Sequence, residues 1–297
     1  MWLFLTYCIA QRCGPLAPAP AIIDNVADFI QGRAIDGFAV EKTKRVGDGR
    51  KSGYRAGHCK PLCVLIPIDR VAAVPDAAQI ATDAQRVFDL VRDGGVALIP
   101  LDVAYALVAR TPQAVRRVYT AKGREFGKPM GLVGGQPAHQ ALHVLDAGKR
   151  AMVQAITVEQ DLPLSVVAPH REKHPYLAGL DPWVLAHSTQ AGTLNLLLNA
   201  GALRSSLAHL CWEQGVAMVG TSANLSLSGS RFSVATVDAA IVDVCDLVID
   251  YGRSRYENPQ GSSSTIIDFG KMRLLRHGVC GDSILRLLQS QFGVTLL

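Results

Sequence analysis

From Thr82 onward the chain switches repeatedly between two hydrophobic periods, and that alternation limits its fold more than any other feature. Val87, Leu90 and Val91 fall on one helical face, Gly94-Gly95 offers a stop, and the apolar run VALIP follows, which reads as helix, tight turn and strand. Thr111 then supplies an N-cap and Pro112 a first-turn proline for a second helix that buries Val115, Val118 and Tyr119 and ends at Gly123. Farther on, MGLVG, LSVVA, TLNLLL, VAMVG, LVID and STIIDF have the length and composition of strands, and ALRSSLAHLCWEQ and DSILRLLQSQF those of helices. The pattern is mixed α/β. Between Pro169 and Gln190 the period is lost among Pro, His and Trp, so a loop or insertion is expected there.

Residues 1–76 form a contrast. LAPAPA, GDGRKSGYRAGH and scattered charges interrupt every helical pattern, leaving VLIPI as the one clear apolar run. They are expected to be a poorly ordered or loosely attached extension, with residues 77–297 as the folded domain. Residues 1–70 carry ten Lys or Arg against six Asp or Glu, so +4 of the net +5 lies there and the folded part is nearly neutral. A basic patch in the domain must therefore be local. The opening WLFLTYCIA is too short to span a bilayer and has no basic residue before it, so neither a membrane span nor a signal peptide is expected. Seven cysteines without a repeating spacing indicate a reducing, cytoplasmic setting. His58, Cys59 and Cys63 amount to half a zinc site, but no second ligand pair stands nearby, and no protein-held metal is expected.

Four segments could carry chemistry. AKGREFGKPM brings Lys122, Arg124 and Lys128 together between a helix and a strand, where they are either phosphate donors or a solvated turn. GTSANLS follows a strand and offers Ser222 and Asn224, as ligand contacts or as turn formers bonded to their own backbone. PLDVAYAL sets Asp102 and Tyr105 within apolar sequence, where each needs a partner. SSSTIIDF and LLRHG place Ser264 and Arg276 around an apparent hairpin. Neither a Walker A loop nor a GxGxxG dinucleotide fingerprint is present.

In this order the segments resemble the YrdC-like family of threonylcarbamoyl-adenylate synthases, from about Thr82 to Asp282. The family pattern runs GGVV, PTDTVYGL, KGR with NPL or KPL, TVAVR, PSANLSG, STVVD and RPG; here it reads GGVA, PLDVAYAL, KGREFGKPM, TLNLL, TSANLSLSG, STIID and RHG. The resemblance implies a twisted mixed-sheet α/β fold with an open ligand cleft. It implies synthesis of threonylcarbamoyl-AMP and pyrophosphate from ATP with Mg²⁺, threonine and bicarbonate, in the service of tRNA modification. Lys122 and Arg124 match the family's catalytic KGR pair. With Lys128, Thr193, Asn224 and Arg276, and with Ser230 or Ser233 for a hydroxyl beyond SAN, they would face the nucleotide.

On the amino-acid side, Asp102, Val103, Tyr105, Ser222 and Ser264 match the substrate pocket, with departures. The family threonines are Leu101 and Val103 here, the glycine is Ala106, a polar position falls in apolar sequence near Val133, and the arginine of TVAVR is Leu197. A lost charge-assisted bond to a carboxylate weakens affinity at least about tenfold. Threonine binding is therefore expected to be weakened, or replaced by another small carbamate acceptor. Arg204, on the helix behind TLNLLL, and Arg171 are the nearest candidates to stand in. A non-catalytic nucleotide- or RNA-binding protein on the same fold is the alternative; a hydrogenase-maturation type of carbamoyl transfer is weaker, because its paired zinc fingers are missing.

Overall fold

Residues 75–296 are described by a computed structural model. The VLIPI run, His58, Cys59, Cys63 and nearly all of the expected extension lie outside the described residues. The first helix, α1 (Ala77–Arg92), starts five residues earlier than its apolar stripe suggests, because the Asp76 carboxylate caps it by accepting from Gln79 N at 2.8 Å. It ends at the glycine pair, where Gly94 takes φ +97°.

Strands β1 (Ala97–Leu101) and β2 (Ala104–Ala109) form an antiparallel hairpin whose turn is Asp102-Val103. Helix α2 (Pro112–Ala121) is capped by Thr111 and closes at Lys122, one residue before Gly123 turns to φ +54°. Then come β3 (Gly131–Leu132), α3 (Gln136–Leu142), α4 (Ala147–Gln154) with a π-helical turn, and β4 (Leu164–Pro169).

The stretch expected as an irregular insertion holds two short helices, α5 (Pro175–Ala178) and α6 (Pro182–Ala186), each with proline in its first turn, and β5 (Thr189–Gln190). Short proline-started turns leave no readable 3.6-residue period, which is why the pattern was lost there. After these come β6 (Thr193–Leu198), α7 (Ala202–Glu213), β7 (Val219–Ser222), α8 (Ala239–Val242) and β8 (Leu247–Val248). The hairpin of β9 (Ile266–Asp268) and β10 (Arg273–Arg276) leads to α9 (Gly281–Phe292).

Among the described residues the strands form one mixed sheet in the order β10-β9-β4-β6-β3-β7-β2-β1-β8, with β5 beside β6. No helix in them is long and apolar enough to cross a membrane. Strand alternation sends side chains to two cores: Leu98, Tyr105, Leu107, Leu132, Leu194 and Leu196 pack with α2, while Ile99, Ala106, Val108 and Val133 pack with α1 and α7. Those two helices lie against each other and roof part of the second face. The rest of that face is open, from Ser222 on β7, past Gly131, to Asn195 and Leu197 on β6 and Ser165 on β4.

The β9–β10 hairpin turns back onto its own approach segment at Gly278, where a Cβ would lie 2.1 Å from Ser263 O and 2.5 Å from Ser264 O. Both obstacles are backbone and cannot move aside cheaply. Gly278→Ala is expected to cost about 1–3 kcal/mol and lower Tm by roughly 3–10 °C. Thermal unfolding followed by circular dichroism checks this; an unchanged Tm would show that the approach is looser than described.

Candidate functional site

Among the described residues, three arginines and a set of hydroxyls, with no carboxylate, line a cleft of about 230 Å³ on the open face of the sheet. Arg124 enters from the loop after α2, Arg276 from the end of β10, and Arg204 from α7. Arg124 is steadied by donating Nη2 to Pro129 O at 2.9 Å and Nε to Lys128 O at 3.3 Å. Arg276 donates Nε to Ser264 O at 2.9 Å and Nη2 to Ser263 Oγ at 2.8 Å. Burial lowers its pKa. Beneath it the hydroxyls of Ser165 and Ser264 bond to each other at 2.8 Å.

The structure separates the three cations that the sequence groups together. Arg124 faces the cleft, while Lys128 is not among its lining residues. Lys122 is 2% exposed and turned inward: Nζ donates to the carbonyl oxygens of Ser222 and Asn224, the latter at 2.5 Å, and lies 3.5 Å from Asn224 Oδ1. Burial and then the neighbouring Arg124 charge push the Lys122 ammonium down to about 7. Its place as C-cap of a helix packed by Tyr119 fixes this inward direction, against the expectation that the whole cluster points at phosphates.

Several other expected contacts are not among the residues that line this cleft. The Asn224 amide is occupied locally, its Oδ1 accepting from Ser222 Oγ and its Nδ2 donating to Leu225 O at 2.6 Å. Thr193 Oγ1 donates to Gln190 O at 2.7 Å, Ser230 N to Gly261 O at 2.7 Å, and Ser233 Oγ to Thr236 Oγ1 at 3.4 Å. Asp102 sits in the β1–β2 turn beside Gly201, its carboxylate 3.7 Å from Arg255, and burial raises its pKa.

Val103, Tyr105, Ser222 and Ser264 do line the cleft. The Tyr105 hydroxyl, however, donates to Asp250 Oδ1 or Gly252 O, each at 2.7 Å, and burial together with Asp250 raises its pKa. Ser165, Ser263 and Asn195 also belong to the site and were not singled out from the sequence. Asn195 could have been found, because it precedes Leu197 by two residues in a strand whose burial alternates. Among the described residues no group of three or more His, Cys, Asp or Glu gathers as a metal site.

The fold is an open α/β sheet with three arginines lining a cleft on one face. The family model for Sua5, YciO and YrdC proteins, described as "Telomere recombination", matches residues 89–278, and the chain belongs to that family. Among solved structures it is similar to a hypothetical protein, smu.1377c, of Streptococcus mutans, at 22% identity and TM-score 0.60, covering 71% of this chain and 93% of that one. It is similar to Sua5 of P. abyssi complexed with L-threonine, at 22% identity and TM-score 0.56, covering 75% of this chain and 60% of that one. It is also similar to full-length HypF in a phosphate- and nucleotide-bound form, at 15% identity and TM-score 0.50, covering 67% of this chain and 29% of that one. At these identities the likeness concerns the fold, and this chain spans only part of Sua5 and HypF. No curated protein sequence matches.

Removing the Lys122 ammonium would leave the Ser222 and Asn224 carbonyls short of a donor. Lys122→Met is expected to cost about 1–3 kcal/mol in urea unfolding. The folded pKa of about 7 lies below the ordinary lysine value of 10.5, so between them the unfolded chain holds the extra proton. Wild-type stability relative to the Met variant should therefore rise as pH increases through that window. Equal stability of the two proteins would return Lys122 to a ligand-facing role.

Proposed function

We propose that this chain joins ATP, bicarbonate and a small amino acid into a carbamoyl adenylate, releasing pyrophosphate, the chemistry of threonylcarbamoyl-AMP synthesis. The observation that carries the reading is the charge of the cleft: among the described residues Arg124, Arg204 and Arg276 line it and no Asp or Glu does. Such a donor set suits a polyanion and repels none of its groups. Family membership gives the direction. The relatives crystallised with L-threonine and in a phosphate- and nucleotide-bound form support an amino acid and a nucleotide as its two ligands.

In this reaction the amine and bicarbonate condense to a carbamate with loss of water. A carbamate oxygen then forms a bond to the α-phosphorus, and the bond to the bridging oxygen breaks, its electron pair leaving with pyrophosphate. The protein's part is to hold the two reactants in line and to meet the phosphate charge with fixed cations. Arg124 and Arg276, each anchored on backbone carbonyl or hydroxyl oxygen, are rigid enough for that role. Mg²⁺ would arrive with the nucleotide and share the neutralisation of its phosphates. The lining, free of carboxylates, fits an ion carried on the substrate better than one held by the chain. The product would serve tRNA modification.

Pyrophosphate release with ATP, Mg²⁺ and bicarbonate, in the presence and absence of amino acids, tests the reading. Amino-acid-dependent release is expected, falling about 100-fold in Arg124→Ala, as for loss of one charge-stabilising donor. Release that ignores Arg124, or no release with any amino acid, would count against it.

A further inference from the structure

Arg204 is a buried cation with no anionic partner among the described residues. It is 6% exposed, and its guanidinium donates to two carbonyl oxygens at long range, Leu132 O at 3.3 Å and Gly134 O at 3.5 Å. Its ionisable neighbours are Cys211 and Tyr176, and burial holds both in their neutral forms. Buried charges are normally paired. Arg204 and Leu197 also form the wall between the cleft and a second cavity of about 250 Å³, since both residues line both spaces.

A second observation lies beside the first. Asn195 lines the cleft, and its buried Oδ1 has no hydrogen-bond partner among the described residues. Its Nδ2 would stand 3.7 Å from a Cβ on Gly131, and Arg204 reaches the carbonyl of Leu132, the next residue of β3. Strand β3 thus brings an unpaired cation and an unpaired acceptor to one place. An α-amino acid carries the complement of both, a carboxylate and an N–H.

The surroundings set the side chain. Val103, Ala106, Val133 and Leu197 line this part of the cleft with hydrocarbon. Of the serine hydroxyls in the cleft, Ser165 and Ser264 bond to each other and Ser222 donates to Asn224 Oδ1. A substrate hydroxyl lodged against the hydrocarbon would lose its water and meet no polar partner there.

We propose that Arg204 binds the carboxylate and Asn195 the amino nitrogen of the acceptor, and that the acceptor is an amino acid with an aliphatic side chain in preference to threonine. The inference rests on the adenylate-forming reading and adds its substrate class.

Titration calorimetry on the full chain, with an α,β-methylene ATP analogue bound, is the test, using L-2-aminobutyrate, L-valine and L-threonine as probes. One of the two aliphatic amino acids is expected to bind at least about tenfold more tightly than threonine. Arg204→Met should weaken that binding at least about tenfold, and by a larger factor than it weakens binding of the analogue. Asn195→Leu should act in the same direction should the Arg204 variant not fold, and Val103→Thr should shift preference back towards threonine. Tightest binding of threonine, undiminished binding by the folded variants, or no binding of any of the three overturns the inference. Failure of the wild type to bind the analogue overturns the adenylate reading instead.

Discussion

The rim of the cleft is organised by one ammonium group. Lys122 Nζ, at the end of α2, is driven into the loop that follows β7, where it meets the carbonyls of Ser222 and Asn224. The same contact is doubled through the backbone, since Ser226 N donates to Lys122 O at 2.9 Å. Burying an ammonium is costly, and carbonyl dipoles converging on it offset part of that cost. Two residues later the chain emerges carrying Arg124, so the position of this arginine depends on the anchorage of Lys122. On the loop side, the carbonyls gripped by Lys122 fix the turn in which the Ser222 hydroxyl bonds to Asn224. A cation and a polar loop from distant parts of the sequence are thereby held at a fixed spacing.

Much of the architecture could be read from the sequence because burial and period coincide. The apolar runs from VALIP to STIIDF are strands, and the α2 and α7 helices stand where their stripes and caps put them. What escaped was of two kinds. AYALVA, as β2, is buried on both faces and so shows no alternation, and its tyrosine looked like a polar interruption rather than a core residue. The segment from Pro175 to Ala186 is built of helices too short to display a period.

Site residues were legible by type more than by direction. The sequence places Lys122, Arg124 and Lys128 within one turn of chain, yet packing of α2 decides which side chain faces inward, and no spacing rule reveals that. Ser222, Ser264 and Arg276 line one cleft only because the strands from β10 to β7 are ordered as they are. Asn224 stands where a turn former and a ligand contact would look the same in sequence; in the fold its amide bonds within its own loop. Leu197 was visible as a missing charge. That Arg204 reaches the same wall depends on how α7 crosses β3, a tertiary fact.

The division of labour between lysine and arginine follows from the same burial. Deep in the rim the Lys122 pKa is pushed down to about 7, so its charge would be only partly held at neutral pH. A guanidinium starts far higher: Arg204, buried almost as completely, is pushed down to about 10 and keeps its proton. A cleft that must present fixed positive charge while excluding water therefore does so with arginine, and lysine in the same surroundings serves to tie backbone together. The domain needs no large net charge for this. Three guanidinium groups on one face, with no carboxylate among the described residues of the cleft, make a local field that the near-neutral composition of the fold conceals.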